Sequence, residues 1–478
     1  MLPWRLQNRR SVGVLLFIIV MGIALVASGC GGTMSNPAPG GGTTSPPPGG
    51  GAGTTAAQVR LGDAPADRVI SFEASVGPIT MKPTNGAAVT VLSSARRLEL
   101  THLSATSEPL ALLNVPQGSY SSATLTVANP EIVFINNMGQ IVKLQPAFNQ
   151  AITMNFSPTF NAGATAPVVN IDLNVAKSLT FDGQGNITGV NITANSFNLS
   201  GTTVAPESEQ EFESGELEDT SGTVTSVNGT SFALTLGVSG SVLTFATDSN
   251  TQFNDGATLA TMLNTVVTVE GVTRSDGTLY AKEVEGVENV GGAEVEGLIT
   301  QVTGNPATQL TYTADDGSGS GMDDTKVGAN FTVDVSGAGY RVQAGNIDNS
   351  GIGSLPAPPA FPFDANTIHP GQRIEVETSS AVGGSSLVAD KVSLQQQTLS
   401  GTISGLSGSA PTTFSLTVAP DSAFAMLSGS TTITVHWQPK TDLHNLPHPL
   451  SNGDAVRVRG LVFFTGTGFN LIARRIMP

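Results

Sequence analysis

Ile374-Glu375-Val376-Glu377 alternates apolar and charged side chains residue by residue. The same beat returns at Val267-Thr268-Val269-Glu270 and at Val456-Arg457-Val458-Arg459. A β-strand sends successive side chains to opposite faces, so this period of two predicts three strands with one face in a core. The other face, carrying Thr, Glu or Arg, is expected to be wet.

Each alternation sits late in a longer repeated unit. The units open on Gly222-Thr223-Val224-Thr225, Gly297-Leu298-Ile299-Thr300 and Gly401-Thr402-Ile403-Ser404. A second strand follows at Phe232-Ala233-Leu234-Thr235-Leu236, Leu310-Thr311-Tyr312-Thr313 and Phe414-Ser415-Leu416-Thr417-Val418. All three close on Leu-x-Ala: Leu279-Tyr280-Ala281, Leu387-Val388-Ala389 and Leu471-Ile472-Ala473. Asp276-Gly277 signals a hairpin before the last strand of the first unit. The boundaries fall at 218–290, 291–396 and 397–478. So few strands bury an apolar face best by closing on themselves, which also removes their edges. Three small OB-like antiparallel β-barrels are therefore expected. Residues 255–264, with Leu259 and Met262-Leu263, are expected to give the first barrel a short helix. Residues 315–326 and 345–366 enlarge the second unit and, being rich in Gly, Asp or Pro, are expected to be surface loops. The repeats resemble tandem small β domains of unknown function in exported bacterial proteins, a resemblance that implies no known chemistry.

Residues 58–204 form a different β unit. Phe72-Glu73-Ala74-Ser75-Val76 begins one strand, and Pro116-Gln117-Gly118-Ser119-Tyr120 leads into another at Ala123-Thr124-Leu125-Thr126-Val127. That Pro-x-Gly-x-Tyr turn resembles β-sandwich domains of the transthyretin or immunoglobulin type. The opening Gly62-Asp63-Ala64-Pro65 resembles a second lipoprotein-associated domain family of unknown function, with Gly62 where that family often has Thr. The expected fold class is all-β, a sandwich followed by the three barrels, which would project outward in file. Asp63 and Asp67 are candidate ligands for a polar group, although Asp before Ala-Pro more often caps a turn through its own backbone. Tyr120 is expected to tie its hydroxyl to backbone.

Ahead of the sandwich, Arg5, Arg9 and Arg10 precede an apolar run from Val12 to Ala27, the layout of a secretory signal. The run is shorter than the ~20 residues that span a bilayer comfortably. Ala27-Ser28-Gly29-Cys30 resembles the lipobox of bacterial lipoproteins, which implies cleavage of residues 1–29 and lipidation of Cys30. Gly31 in place of Asp implies, by the same resemblance, an outer membrane lipoprotein, on the periplasmic face or the cell surface. Residues 30–57 read as a Gly/Pro/Ser/Thr tether reaching about 30 Å as a random coil. With Cys30, the only cysteine, acylated, neither disulfides nor thiolate chemistry remain. Residues 205–217 read as an acidic linker between sandwich and barrels.

The formal charge is −16, and loss of the three signal arginines takes the mature chain to −19. Residues 291–396 hold twelve acids against four bases, whereas 397–478 invert to three against five. That balance argues against nucleic acid as a partner, since phosphate contacts need clustered Lys and Arg. His436, Asp442, His444 and His448 are metal candidates by proximity, but Pro447 and Pro449 forbid a helix that would align the last two, and the spacing fits no standard zinc signature. Trp437 could stack on a sugar or fill a barrel mouth. No P-loop, nucleophile elbow, His-Glu-x-x-His or Gly-x-Gly-x-x-Gly occurs. No metal or other cofactor is expected. The reading is a lipid-anchored, non-catalytic binding or scaffolding module that meets the membrane through its lipid and an envelope protein or glycan through its barrels. The alternatives are a polysaccharide-active enzyme with a carboxylate pair in an inter-domain groove, and a structural spacer. Sequence leaves the oligomeric state open.

Overall fold

The computed structural model describes residues 54–64, 67–103, 107–165, 167–203, 216–236, 242–254, 256–274, 276–286, 292–323, 325–343, 347, 361–443 and 446–478. The signal, Cys30 and most of the tether lie outside them. The first strand, Thr54–Ala64, begins inside the segment expected to be tether.

The sandwich is built as expected from two sheets. One orders Phe197–Thr203, Pro167–Asn174, Thr54–Ala64 and Ser107–Pro116, with the middle two strands parallel. The other is dominated by the long antiparallel pair Val69–Pro83 and Gly118–Ile135. Val59, Leu61, Val169 and Ile171 from the first sheet share a core with Phe72, Leu125 and Ile152 from the second. The Tyr120 hydroxyl donates to the Pro116 carbonyl at 2.8 Å, so the expected tie to backbone is present.

Three barrels follow, each on one plan. In the first, Glu216–Asn228, Ser231–Leu236, Val242–Ala246, Val266–Thr273 and Leu279–Gly286 close when Val242–Ala246 pairs in parallel with Leu279–Gly286. In the third, Thr432–Trp437 closes in parallel on Phe469–Met477. The second breaks its last strand into Ser386–Val388 and Lys391–Leu394, and Asn330–Asp334 closes on the first half. The alternating segments fill the three cores as predicted: Val267 and Val269, Ile374 and Val376, Val456 and Val458 are all buried.

The opening glycines of the repeat have a shared steric reason. A Cβ on Gly222, Gly297 or Gly401 would meet the carbonyl oxygen of Thr235, Thr313 or Thr417 at 2.3, 2.2 or 2.6 Å. In each barrel the second strand presses onto the first at this point, and only glycine admits it.

Four expectations need correction. Residues 256–264 make turns rather than a helix, with Met262 N–H donating to the Thr258 carbonyl. The acidic linker ends earlier than expected, since strand Glu216–Asn228 places Leu217 in the first barrel's core. Asp315 to Gly319 are the continuation of strand Ala307–Gly319, not part of a surface loop. Finally, the barrels do not run in file. Residues Ala52–Pro478 form one compact unit with the barrels packed on the sandwich and on one another.

Candidate functional site

The glutamate face of the second barrel is dry. Strand Ala293–Gly304 lies between Ala307–Gly319 and Arg373–Thr378, and Lys391–Leu394 lies beyond. Register aligns Ser318, Glu294, Glu377 and Lys391 in one row, and Asp316, Glu296, Glu375 and Ser393 in the next. Cross-strand partners share a face, so these side chains stand together on the outside of the barrel. Yet Glu294 is 1% exposed, and Glu375 and Glu377 are each 2% exposed. The neighbouring domains cover them.

Cover comes from two sides. Ser221, on the first strand of the first barrel, donates its hydroxyl to Glu294 Oε2 at 3.1 Å and lies 3.4 Å from Ser318 Oγ. Arg341 pairs with Glu285 across the same seam. From the sandwich, Glu131 and Val133 approach the backbone of Gly328 in the second barrel. The sandwich also supplies its own carboxylate row, because register sets Glu73 against both Glu99 and Glu131.

Two cations thread the second barrel's acids. Arg373 reaches Glu296 Oε2 at 2.8 Å and Asp315 Oδ2 at 3.0 Å. Lys391 Nζ stands 3.1 Å from Glu377 Oε1. Burial opposes the Arg373 charge, but Asp315 and Glu296 outweigh it and hold the guanidinium above the ordinary arginine range. Burial pushes the Glu294 carboxyl up to about 7, an effect the hydrogen bond from Glu375 opposes and the charges of Glu296 and Glu377 reinforce. Glu375 lies well above the usual carboxylate range, through burial and then the charge of Glu294. The Glu375 Oε2 accepts from Gln395 Nε2 at 2.7 Å. Oxygens of Glu294, Glu296 and Glu375 lie within 4.8 Å of one another.

Beside this cluster is a cavity of about 110 Å³ where sandwich, second barrel and third barrel meet, lined by Arg373, Asp315, Gln396, Gln397, Arg459 and Asp67 among others. Gln397 ties the two barrels: its Oε1 accepts from the Arg373 N–H at 2.7 Å and its Nε2 donates to the Gly371 carbonyl at 3.0 Å.

The residues singled out in the sequence fall elsewhere or at the edge. Asp67 stands at the cavity rim, where its carbonyl accepts from the Ala423 N–H at 2.5 Å. Desolvation raises its carboxyl, the Ser400 hydroxyl lowers it, and Asp421 raises it again. The backbone of Asp63 belongs to strand Thr54–Ala64; its side chain lies outside the described residues. Trp437 ends strand Thr432–Trp437 half-buried against the third core. The His436 Nε2 meets Asn470 Oδ1 at 3.0 Å, its ring packs 5.3 Å from Phe361, and burial lowers its pKa. Asp442 accepts from Arg475 Nε at 2.6 Å, His448 is exposed with Nδ1 beside the Pro449 carbonyl, and His444 lies outside the described residues. Among the described residues these groups do not converge as metal ligands. Sequence reasoning missed the junction. Its signal was present: Glu294-x-Glu296 and Glu375-x-Glu377 both belong to one barrel, and like charges on neighbouring strands repel unless something answers them.

No curated protein matches the chain. Among solved structures, a chain described as drosophila Unr CSD456 is similar at 12% identity, covering 53% of this chain and 94% of that chain with a TM-score of 0.12, a superposition too loose to carry an argument. Residues 221–285, which form nearly all of the first barrel, match a family described as a domain of unknown function, DUF5666.

Proposed function

We propose that the protein is a lipid-anchored envelope module that binds or scaffolds without catalysis, its barrels forming one rigid composite surface. The observation that carries this reading is the fusion of three like barrels and a sandwich through buried polar side chains. Gln372 Nε2 donates to the Val462 carbonyl at 2.8 Å between the second and third barrels. Arg60, Gln58 and the Thr273 hydroxyl bond one another between sandwich and first barrel. Such joints fix the relative placement of surfaces, as a multi-point binder needs. The carboxylates of Glu294, Glu296 and Glu375, clustered within 4.8 Å of one another, lie between domains rather than along an open groove, which favours a binder over a glycosidase. Lipidation at Cys30 and the outer membrane belong to the same proposal and rest on the lipobox-like motif.

The test uses the full chain, acylated and held in detergent micelles, as bait against envelope extract and on a glycan array. A partner retained by this chain and lost on a Cys30-anchored control lacking the barrels supports the reading. Retention of nothing in either format, or release of reducing sugar from envelope polysaccharide, would sink it.

A further inference from the structure

The second barrel's acidic face crowds carboxylates into a covered seam. Glu294, Glu296, Asp315, Asp316, Glu375 and Glu377 stand on neighbouring strands there, with Arg373 and Lys391 among the cations that meet them. Glu294, Glu375 and Glu377 are at most 2% exposed. Burying a carboxylate without a counter-charge is costly enough that proteins either protonate it or bring in a cation.

A separate observation comes from a neutral residue. Ser393 is fully buried, and its hydroxyl has no hydrogen-bond partner. Register sets it directly across from Glu375, so the hydroxyl stands on the same dry face as the acids. Glu294 Oε1 and Glu377 Oε2 are likewise buried without a hydrogen-bond donor. Buried oxygens without donors are rare and costly, and several in one place ask for an electrophile. We propose that a divalent cation of the calcium class binds at this junction, held by Glu294, Glu296 and Glu375 with the Ser393 hydroxyl beside them.

The donor set and its spacing agree with that class. Every available ligand is an oxygen, which selects hard cations over zinc or copper. Bonds of about 2.3–2.6 Å let one calcium ion join oxygens up to about 5 Å apart, and the three carboxylates fall within 4.8 Å of one another. Magnesium keeps several waters and wants a near-ideal octahedron, so a covered, dry site suits it less. Because Ser221 of the first barrel holds Glu294, the ion would also brace two domains. The proposal does not depend on the envelope-module reading and concerns binding of the ion alone.

The experiment is a thermal melt and a calorimetric titration of the full chain, stripped with EDTA, against calcium chloride at pH 7.5, with magnesium chloride in parallel. Calcium at about a hundred-fold excess over its dissociation constant is expected to raise the melting temperature by roughly 3–6 °C, with one ion per chain. Glu375→Gln, which removes one of the three carboxylate ligands at nearly unchanged volume, should abolish the shift. Ser393→Ala, a smaller change that decides the matter if the first variant does not fold, should weaken calcium binding about ten-fold. Asp182→Asn, on an exposed sandwich turn, should leave it intact. The proposal is overturned if calcium leaves the melt of the parent chain unmoved, as a shared proton between Glu294 and Glu375 would by itself require. It is equally overturned if Ser393→Ala and Glu375→Gln both bind calcium as the parent does.

Discussion

Glu73 shows what burial does to one residue here. Its carboxylate pairs with Arg97 at 2.8 Å, yet it is 2% exposed and register sets it against Glu99 and Glu131. Burial pushes its carboxyl up to about 7, Arg97 opposes, and Glu131 and Glu99 add to the rise. A carboxyl whose folded pKa exceeds its unfolded value binds its proton better when folded. Its contribution to stability is therefore complete below about pH 4.5 and is lost as pH rises through 7. At 1.36 kcal/mol for each unit of pKa, the loss approaches about 3 kcal/mol above pH 7. Denaturant titrations from pH 4.5 to 8 should show stability falling, and Glu73→Gln should remove that residue's share of the slope. An unchanged slope in the variant would refute the assignment. None of this was legible at residue 73 in the sequence, where Phe72-Glu73-Ala74 reads as any strand with a wet face. Burial of the polar face is decided by a neighbouring domain, which periodicity does not encode.

At the scale of the element, the opening glycine of each repeat is the informative position. Gly401 lies in strand Gln396–Ser404, and a methyl group there would meet the Thr417 carbonyl at 2.6 Å and Leu416 carbons at 2.9 and 3.0 Å. The carbonyl belongs to the ladder between the barrel's first two strands, so the strand itself must shift. Gly401→Ala should cost about 1–3 kcal/mol, the range for overpacking a filled interior. Gly337→Ala, in open space, should stay within about 0.5 kcal/mol of the parent, as surface changes do. Equal losses from the two variants in urea melts would show that close approach is not the reason for the glycine. The repeat was readable because its glycines, its alternation and its Leu-x-Ala ending are all local. The expected helix over 255–264 failed for a local reason too. Thr258 and Thr261 bond each other and nearby backbone: the Thr258 hydroxyl accepts from the Thr261 N–H at 3.2 Å, and that of Thr261 donates to the Gly256 carbonyl at 3.1 Å. Side chains that serve turns so well compete with a helix.

Across the whole molecule, the domains share one buried network instead of meeting at soft linkers. Gln395, Gln396 and Gln397, at the boundary between the last two barrels, are 4%, 7% and 7% exposed. The repeat sets a unit boundary at residues 396 and 397, but local sequence does not say how tightly the two units join. The Gln395 amide is instead committed to Glu375, and that of Gln397 to the Gly371 carbonyl and the Arg373 N–H. Arg373 is the centre of this arrangement, because its guanidinium holds acids from two strands while its backbone holds the next barrel. Removing one partner from a buried ion pair typically costs about 3–5 kcal/mol, as the acids left behind have no counter-charge. Scanning calorimetry of the full chain should therefore show the sandwich and barrels melting in one cooperative transition. In Arg373→Ala the transition should move down and divide, because Glu296 and Asp315 would then repel each other at the seam where the second barrel meets its neighbours. Well-separated melting steps in the parent chain, or an Arg373→Ala variant with the parent's single sharp peak, would mean that the domains fold as independent beads and that the buried charges do not couple them.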